Sequence, residues 1–176
     1  IGAGAWGTTV AQLLAGNGHD VTLWARSSSL VKEMQLSRCN PSRLPGVELH
    51  PALRFSSDPA EATDGCEAAF IAVPSRYLLQ VLGNFPALPA IVSCIKGFGQ
   101  HGLERMTQVI SRVQSQARTA ALSGPNLAGE IASGKPAAAV IAAADAELRD
   151  QVQAWLQGPS FRVYSSDDVT GVELGG

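Results

Sequence analysis

Ile1-Gly2-Ala3-Gly4-Ala5-Trp6-Gly7 places glycine at the three positions that a dinucleotide-binding turn requires. The first glycine permits the sharp bend, and the second lets the backbone approach a pyrophosphate. The third lets a helix pack close to the strand it leaves. Ile1 stands where a strand ends, and residues 8–15 read as the helix that follows. The first N–H groups and the dipole of such a helix face the phosphates. Gly16-Asn17-Gly18-His19-Asp20 then turns the chain into a second strand over residues 21–25. Glycine spacing alone occurs in many turns; it is the strand–turn–helix–strand context that makes this one read as nucleotide-binding.

The 176 residues suffice for one domain with a sizeable core, and a hydrophobic share of 45% fits a globular chain. Thirteen basic and fifteen acidic residues leave a formal charge of −2, with no electrostatic pull toward nucleic acid or an anionic membrane. Cys39, Cys66 and Cys94 are odd in number and far apart. They suit neither a disulfide framework nor a metal site, and imply reduced thiols in a cytoplasmic protein. No apolar run reaches the length of a membrane span. Because Ile1 falls within a strand and residues 171–176 read as the opening of a helix, the expectation is a fragment of a longer protein.

Short apolar, β-rich runs alternate with helical patterns along the chain. Strands are expected at residues 53–56, 68–73, 90–95, 119–122, 137–142 and 161–165. Helices are expected at 27–37, 75–82, 102–113, 126–133 and 146–156. Asp58-Pro59 reads as an N-cap followed by proline at the first helical position. Asp167-Asp168 reads as the cap of a last helix, and residues 40–51, with Pro41, Pro45 and Gly46, as a loop. This order predicts an α/β fold: a doubly wound, Rossmann-type, mainly parallel sheet with helices on both faces.

Ligands of open parallel sheets bind outside the carboxyl ends of the strands. That rule selects Gly2, Gly4, Ala5, Trp6 and Gly7, then Arg26, Val73-Pro74-Ser75, Lys96-Gly97 and Ser123-Gly124-Pro125-Asn126. Arg26 follows the second strand, where an NAD enzyme usually carries a carboxylate for the ribose 2′-OH; residues 24–28 contain none. A guanidinium among serines suits the 2′-phosphate of NADP(H), with NAD(H) use still open; a solvated surface arginine is the alternative. Lys96 either holds an anion or carbonyl at the crevice or simply marks the end of a buried strand. Residues 123–126 either hold a substrate oxygen or form an ordinary helix cap, and Trp6 either covers the cofactor or packs on its neighbours. His19, His50 and His101 read as solvated side chains, and no metal site is expected.

With these residues in hand, the chain resembles the bacterial-type NAD(P)-dependent glycerol-3-phosphate dehydrogenases. The turn Ile1–Thr8 is similar to that family's cofactor turn, and Asn40-Pro41-Ser42-Arg43-Leu44-Pro45-Gly46-Val47 resembles its Asn…Leu-Pro-Gly loop. Lys96-Gly97 stands where the family has Ser/Thr-Lys-Gly. Leu122-Ser123-Gly124-Pro125-Asn126-Leu127-Ala128 resembles its Ser-Gly-Pro-Ser/Thr-Phe-Ala segment, and residues 168–176 resemble the entry to its helical substrate domain. The resemblance implies cofactor contacts at Ala5, Trp6, Arg26, Lys96 and Ala128, and substrate contacts at Lys96, Gly124 and Asn126. Ala5 departs from the usual Ser, Asn126 from a Ser or Thr, Leu127 from a Phe, and Ile95 from a small hydroxyl residue. It further implies a cofactor domain over residues 1–166 and the start of a helical domain at 167–176. The family's general acid/base is a lysine just after the Glu-Leu-Gly-Gly segment, so no catalytic residue is assigned within these 176. The implied activity is reduction of dihydroxyacetone phosphate to sn-glycerol 3-phosphate for glycerophospholipid synthesis, by a protein whose full length is open to forming a homodimer. Another β-hydroxyacid-type dehydrogenase and a non-catalytic nucleotide-binding module are the competing readings.

Overall fold

The computed structural model describes residues 1–100 and 102–176, and the expectation for His101 lies outside the described residues. In chain order the elements are α1 (Ala5–Gly16), β1 (Thr22–Trp24), α2 (Ser28–Ser37), β2 (Cys39–Asn40), β3 (Leu44–Glu48), β4 (Arg54–Ser56), α3 (Pro59–Thr63) and β5 (Ala69–Ile71). A 3₁₀ turn, Ser75–Tyr77, leads into α4 (Leu78–Leu82), then β6 (Ala90–Ser93), α5 (Met106–Val113), β7 (Arg118–Ser123) and α6 (Ala128–Ala132). The chain closes with β8 (Ala137–Ala142), α7 (Ala146–Leu156), β9 (Phe161–Ser166) and α8 (Val169–Leu174).

β1 pairs in parallel with β4, while β5 to β9 form a five-stranded sheet in sequence order. Ile1 stitches the two together. Its N–H group donates to the Phe70 carbonyl at 2.6 Å, and its own carbonyl accepts from Ala72 at 2.9 Å. On the other side Gly2 donates to the Trp24 carbonyl at 3.0 Å. The spatial order is therefore β4-β1-Ile1-β5-β6-β7-β8-β9, parallel throughout except for the antiparallel β7–β8 pair.

All four residues of β6 are buried, as a strand covered on both faces requires. Ala90 and Val92 face a cluster built with Val10 and Leu14 of α1 and Leu148, Val152 and Leu156 of α7. Ile91 faces the opposite cluster, with Leu78 and Leu82 of α4 and Met106, Val109 and Ile110 of α5. This alternation along one strand is the doubly wound architecture. β1 and β4 carry a third cluster with α1 and α2, in which Met34 and Leu53 are buried. Ser27, Asp58, Asp145 and Asp168 each accept a backbone N–H at a helix start, as their positions before apolar runs predict.

Four expectations shift. The loop predicted over residues 40–51 contains an antiparallel hairpin, β2–β3. Pro45 is tolerated because this two-stranded ribbon has free edges. Arg38 starts the ribbon from a left-handed backbone (φ 53°), its guanidinium donating to the carbonyls of His50 and Leu53. The first helix begins at Ala5, within the glycine signature, with Gly4 at its N-cap. The helix predicted over 75–82 is a 3₁₀ turn followed by α4, and the one predicted from residue 102 starts at Met106. There Gln108 folds back to accept from the Arg105 N–H at 2.9 Å.

Candidate functional site

The three glycines of the turn have three different surroundings. Gly2 has φ +105°, and a Cβ there would lie 2.7 Å from the Ala72 carbonyl oxygen. At Gly7 a Cβ would overlap the Gly2 carbonyl oxygen, so helix and strand touch with no space between them. Around Gly4 no atom lies within 4 Å of an added Cβ. The first and third glycines are thus demanded by protein packing, whereas the second faces open space. A pyrophosphate needs that combination: a backbone that is bare on the ligand side and tightly supported behind.

The support comes from two directions. Thr9 of α1 donates its hydroxyl toward the carbonyls of Ala5 at 3.0 Å and Ala128 at 3.2 Å, joining the turn to the start of α6. Asn40 of β2 donates to the Ala3 carbonyl at 3.1 Å and to the Thr8 hydroxyl at 2.9 Å. Trp6 is half-buried and packs into the α1–α7 cluster, its ring 6.5 Å from that of Phe161. Of its two sequence readings, packing is the one visible here.

Arg26 stands exposed after β1. The hydroxyl of Ser27 beside it accepts from Leu30 N–H at 3.2 Å and lies 2.7 Å from the Ser29 hydroxyl, so it is engaged in capping α2. Across the turn, Arg76 stacks on the Tyr77 ring at 4.8 Å. The Arg76 guanidinium lowers the Tyr77 phenol below its ordinary value, with a smaller contribution from Arg26.

Lys96 lies three residues past the end of β6, the neighbour of β7, exposed, with its ammonium 3.2 Å from the Gly124 carbonyl oxygen. It shares a cavity of ≈ 560 Å³ with Ser123, Gly124, Pro125 and three glycines, Gly171 within α8 and Gly175 and Gly176 just after it. Gly124 has no room for a side chain: a Cβ would lie 2.9 Å from both the Ala138 carbonyl oxygen and the Asn126 amide nitrogen. Asn126 is half-buried and does not line this cavity, and its Oδ1 is buried with no hydrogen-bond partner among the described residues. The structure thus brings Lys96 and Gly124 together in this cavity, with the Asn126 amide against Gly124 but outside the lining.

A second cavity of ≈ 370 Å³ lies between β1 and β5, lined by Val21, Thr22, Cys66 and Ala68 among others. Those residues sit at the amino ends of the strands, the wrong edge of a parallel sheet for a ligand. The cavity holding Lys96 is at the carboxyl ends of β6 and β7. Among the described residues no cluster of His, Cys, Asp or Glu could hold a metal ion, and no helix is long and apolar enough to cross a membrane.

Asn40, Thr9 and Glu173 carry structural weight that residue-by-residue reading did not assign. Glu173 is nearly buried and joins α8 to the start of α5 through Arg105 and Thr107. Each of these links spans dozens of residues, so no local pattern announces it. The Asn…Leu-Pro-Gly resemblance is the one signal that pointed at Asn40.

A doubly wound sheet with a packed glycine turn and a cavity at its carboxyl edge defines a Rossmann-type domain. More particularly, the chain belongs to the family described as NAD-dependent glycerol-3-phosphate dehydrogenase N-terminus, whose profile matches residues 1–149. Among curated proteins it is 41% identical to a glycerol-3-phosphate dehydrogenase [NAD(P)+] of Pseudomonas fluorescens and 44% identical to one of Thermus thermophilus. All of this chain is covered in both cases, but it spans only 52% and 55% of those relatives' lengths. The crystal structure of glycerol-3-phosphate dehydrogenase from Coxiella burnetii superposes with a TM-score of 0.93 at 34% identity, covering 99% of this chain and 55% of that one.

Proposed function

We propose that this chain is the cofactor-binding part of an NAD(P)-dependent enzyme that reduces dihydroxyacetone phosphate to sn-glycerol 3-phosphate, a step that supplies glycerophospholipid synthesis. The observation that carries the proposal is the placement of Lys96 and Gly124 in one cavity at the strand ends of a chain from this family. Residues 1–166 form the cofactor domain and 167–176 open the substrate domain. The free cysteines fit a cytoplasmic protein.

When bound, a nicotinamide cofactor supplies the hydride for the carbonyl carbon. Gly2, Gly4, Ala5, Trp6 and Gly7 hold its pyrophosphate side, with Ala128 and Lys96 beside it. Arg26 reads the 2′-phosphate, which makes NADP(H) the preferred form and NAD(H) the weaker one. Lys96, with Gly124 and Asn126, receives the substrate, and its ammonium steadies the negative charge that develops on the carbonyl oxygen. No residue of this chain is assigned the general-acid role. Membership of the family leaves the other two sequence readings without an observation in their favour.

Calorimetric titration of the purified chain with NADPH and NADH tests this, alongside dihydroxyacetone phosphate reduction followed by absorbance. The expected result is cofactor binding without steady turnover by the chain alone. A chain that binds neither nucleotide would sink the proposal.

A further inference from the structure

Asn40 is fully buried, and both hydrogens of its side-chain amide are used: one on the Ala3 carbonyl, the other on the Thr8 hydroxyl. Its own Oδ1 is buried and accepts nothing among the described residues. A buried acceptor left unpaired destabilises a fold, so this side chain is held for what it donates. An aspartate could not serve, because it would turn an acceptor toward the Ala3 carbonyl.

The consequence lies in the peptide unit that joins Ala3 to Gly4. Among the described residues no peptide bond is cis, so the Ala3 carbonyl and the Gly4 N–H point in opposite directions. Anchoring the carbonyl inward on Asn40 turns the Gly4 N–H the opposite way, away from that buried amide. That N–H has no protein acceptor among the described residues. The hairpin that carries Asn40 is itself latched to α1. Gln12 donates to the Glu48 carbonyl at 3.2 Å and accepts from the His50 N–H at 2.7 Å.

We propose that Asn40 is a positioning residue for the dinucleotide: by holding the Ala3 carbonyl it aims the Gly4 N–H at the pyrophosphate, and so couples the β2–β3 ribbon to cofactor affinity. The role rests on the dinucleotide-binding reading. It concerns the pyrophosphate alone, so ADP-ribose feels it as strongly as NADPH.

The test uses Asn40→Leu, close in shape and without donors, and Thr8→Val, which removes the other partner and leaves the Ala3 contact in place. Each loses a buried hydrogen bond and should lower the melting temperature, but only N40L should raise the Kd for NADPH and ADP-ribose, by about tenfold or more. T8V should stay within about twofold of the wild-type chain. In the wild-type chain, the Gly4 amide should show a clear NMR shift on adding ADP-ribose. N40L that binds both nucleotides normally would overturn the role, as would parallel losses in N40L and T8V. Should N40L not fold, the Gly4 amide decides alone: a resonance that stays put while the nucleotide binds refutes it. A wild-type chain that binds neither nucleotide refutes the dinucleotide reading itself.

Discussion

Glu173 of α8 and Arg105 at the start of α5 form an ion pair at 2.7 Å, with the carboxylate side chain only 7% exposed and the guanidinium 22%. The same carboxylate accepts from the Thr107 N–H at 2.8 Å and from its hydroxyl at 2.6 Å. A carboxylate at a helix N-terminus also meets the positive end of its dipole. The pair fastens α8 across the sheet, so that Gly171, Gly175 and Gly176 face Lys96. Glu173→Gln keeps the shape and loses the charge; it should destabilise the chain by about 1–3 kcal/mol in urea unfolding. Hydrogen exchange should quicken in α8 and leave β6 unchanged.

The glycine turn makes a paired prediction. Gly7→Ala forces a methyl onto the Gly2 carbonyl and should destabilise by about 3 kcal/mol or more, or prevent folding. Gly4→Ala meets no protein atom, and its backbone (φ −75°, ψ 177°) suits any residue. Its stability cost should not exceed about 1 kcal/mol, the scale of an altered N-cap. Its NADPH affinity should nevertheless fall by about tenfold or more, because the methyl takes the ligand's space. Melting curves and calorimetry on the two variants separate the packing glycine from the binding glycine.

Arg26→Ala should weaken NADPH binding by about 1–3 kcal/mol, the scale of a hydrogen bond to a charged group, and NADH binding much less. Equal losses for both cofactors would show that Arg26 does not read the 2′-phosphate. The second guanidinium, Arg76, stays in place in this variant and keeps the Tyr77 stack.

In the full-length enzyme proposed above, Lys96→Ala should lower kcat/KM by about two orders of magnitude or more, comparable to losing one preorganised oxyanion donor. Lys96→Arg should recover only part, since a planar fork replaces a compact ammonium. The melting temperature should hardly move, because Lys96 is exposed and its protein contact is a single bond to the Gly124 carbonyl. A normal kcat/KM in the Ala variant would reduce Lys96 to the marker of a strand end.

Asp145 at the N-cap of α7 is held below the usual carboxylate range, first by the Leu148 N–H it accepts and then by the Arg118 charge. A depressed carboxylate contributes stability above its unfolded value, and that contribution is lost as pH falls through the folded one. Asp145→Asn keeps an acceptor at the cap without a titrating charge. The gap in melting temperature between the wild-type chain and D145N should therefore shrink from pH 7 to pH 3.

Most of the layering was legible in the chain, because it follows from local pattern. Apolar runs at residues 90–95 and 137–142, caps such as Asp58 and Asp168, and the glycine spacing each depend on a few neighbours. The β2–β3 ribbon was hidden because proline and glycine read as loop formers, and its pairing is stabilised from outside by α1 and Arg38. Helix starts were off where the cap is unusual: a bare glycine at Gly4, and Arg105 with Gln108 at α5. At the site, strand-end position selected Lys96, Gly124 and Asn126 alike, whereas the fact that Lys96 and Gly124 line one cavity and Asn126 does not depends on side-chain packing that no local pattern reveals.

Cys94 ends β6 beneath α1, in the cluster against which Trp6 packs. Burial pushes its thiol up to about 12, with the Ile1 ammonium and, less, the Trp6 indole offsetting part of the rise. Since thiolate is the species that alkylates, the native chain carries a chemically silent cysteine directly under its glycine turn, while Cys39 and Cys66 remain partly accessible. Modification of Cys94 by iodoacetamide can then proceed only through moments when the packed cluster around it, of which α1 is one wall, opens locally. The chain contains its own clock for that motion, readable by mass spectrometry without any substitution, and a bound nucleotide that pins the turn should slow it.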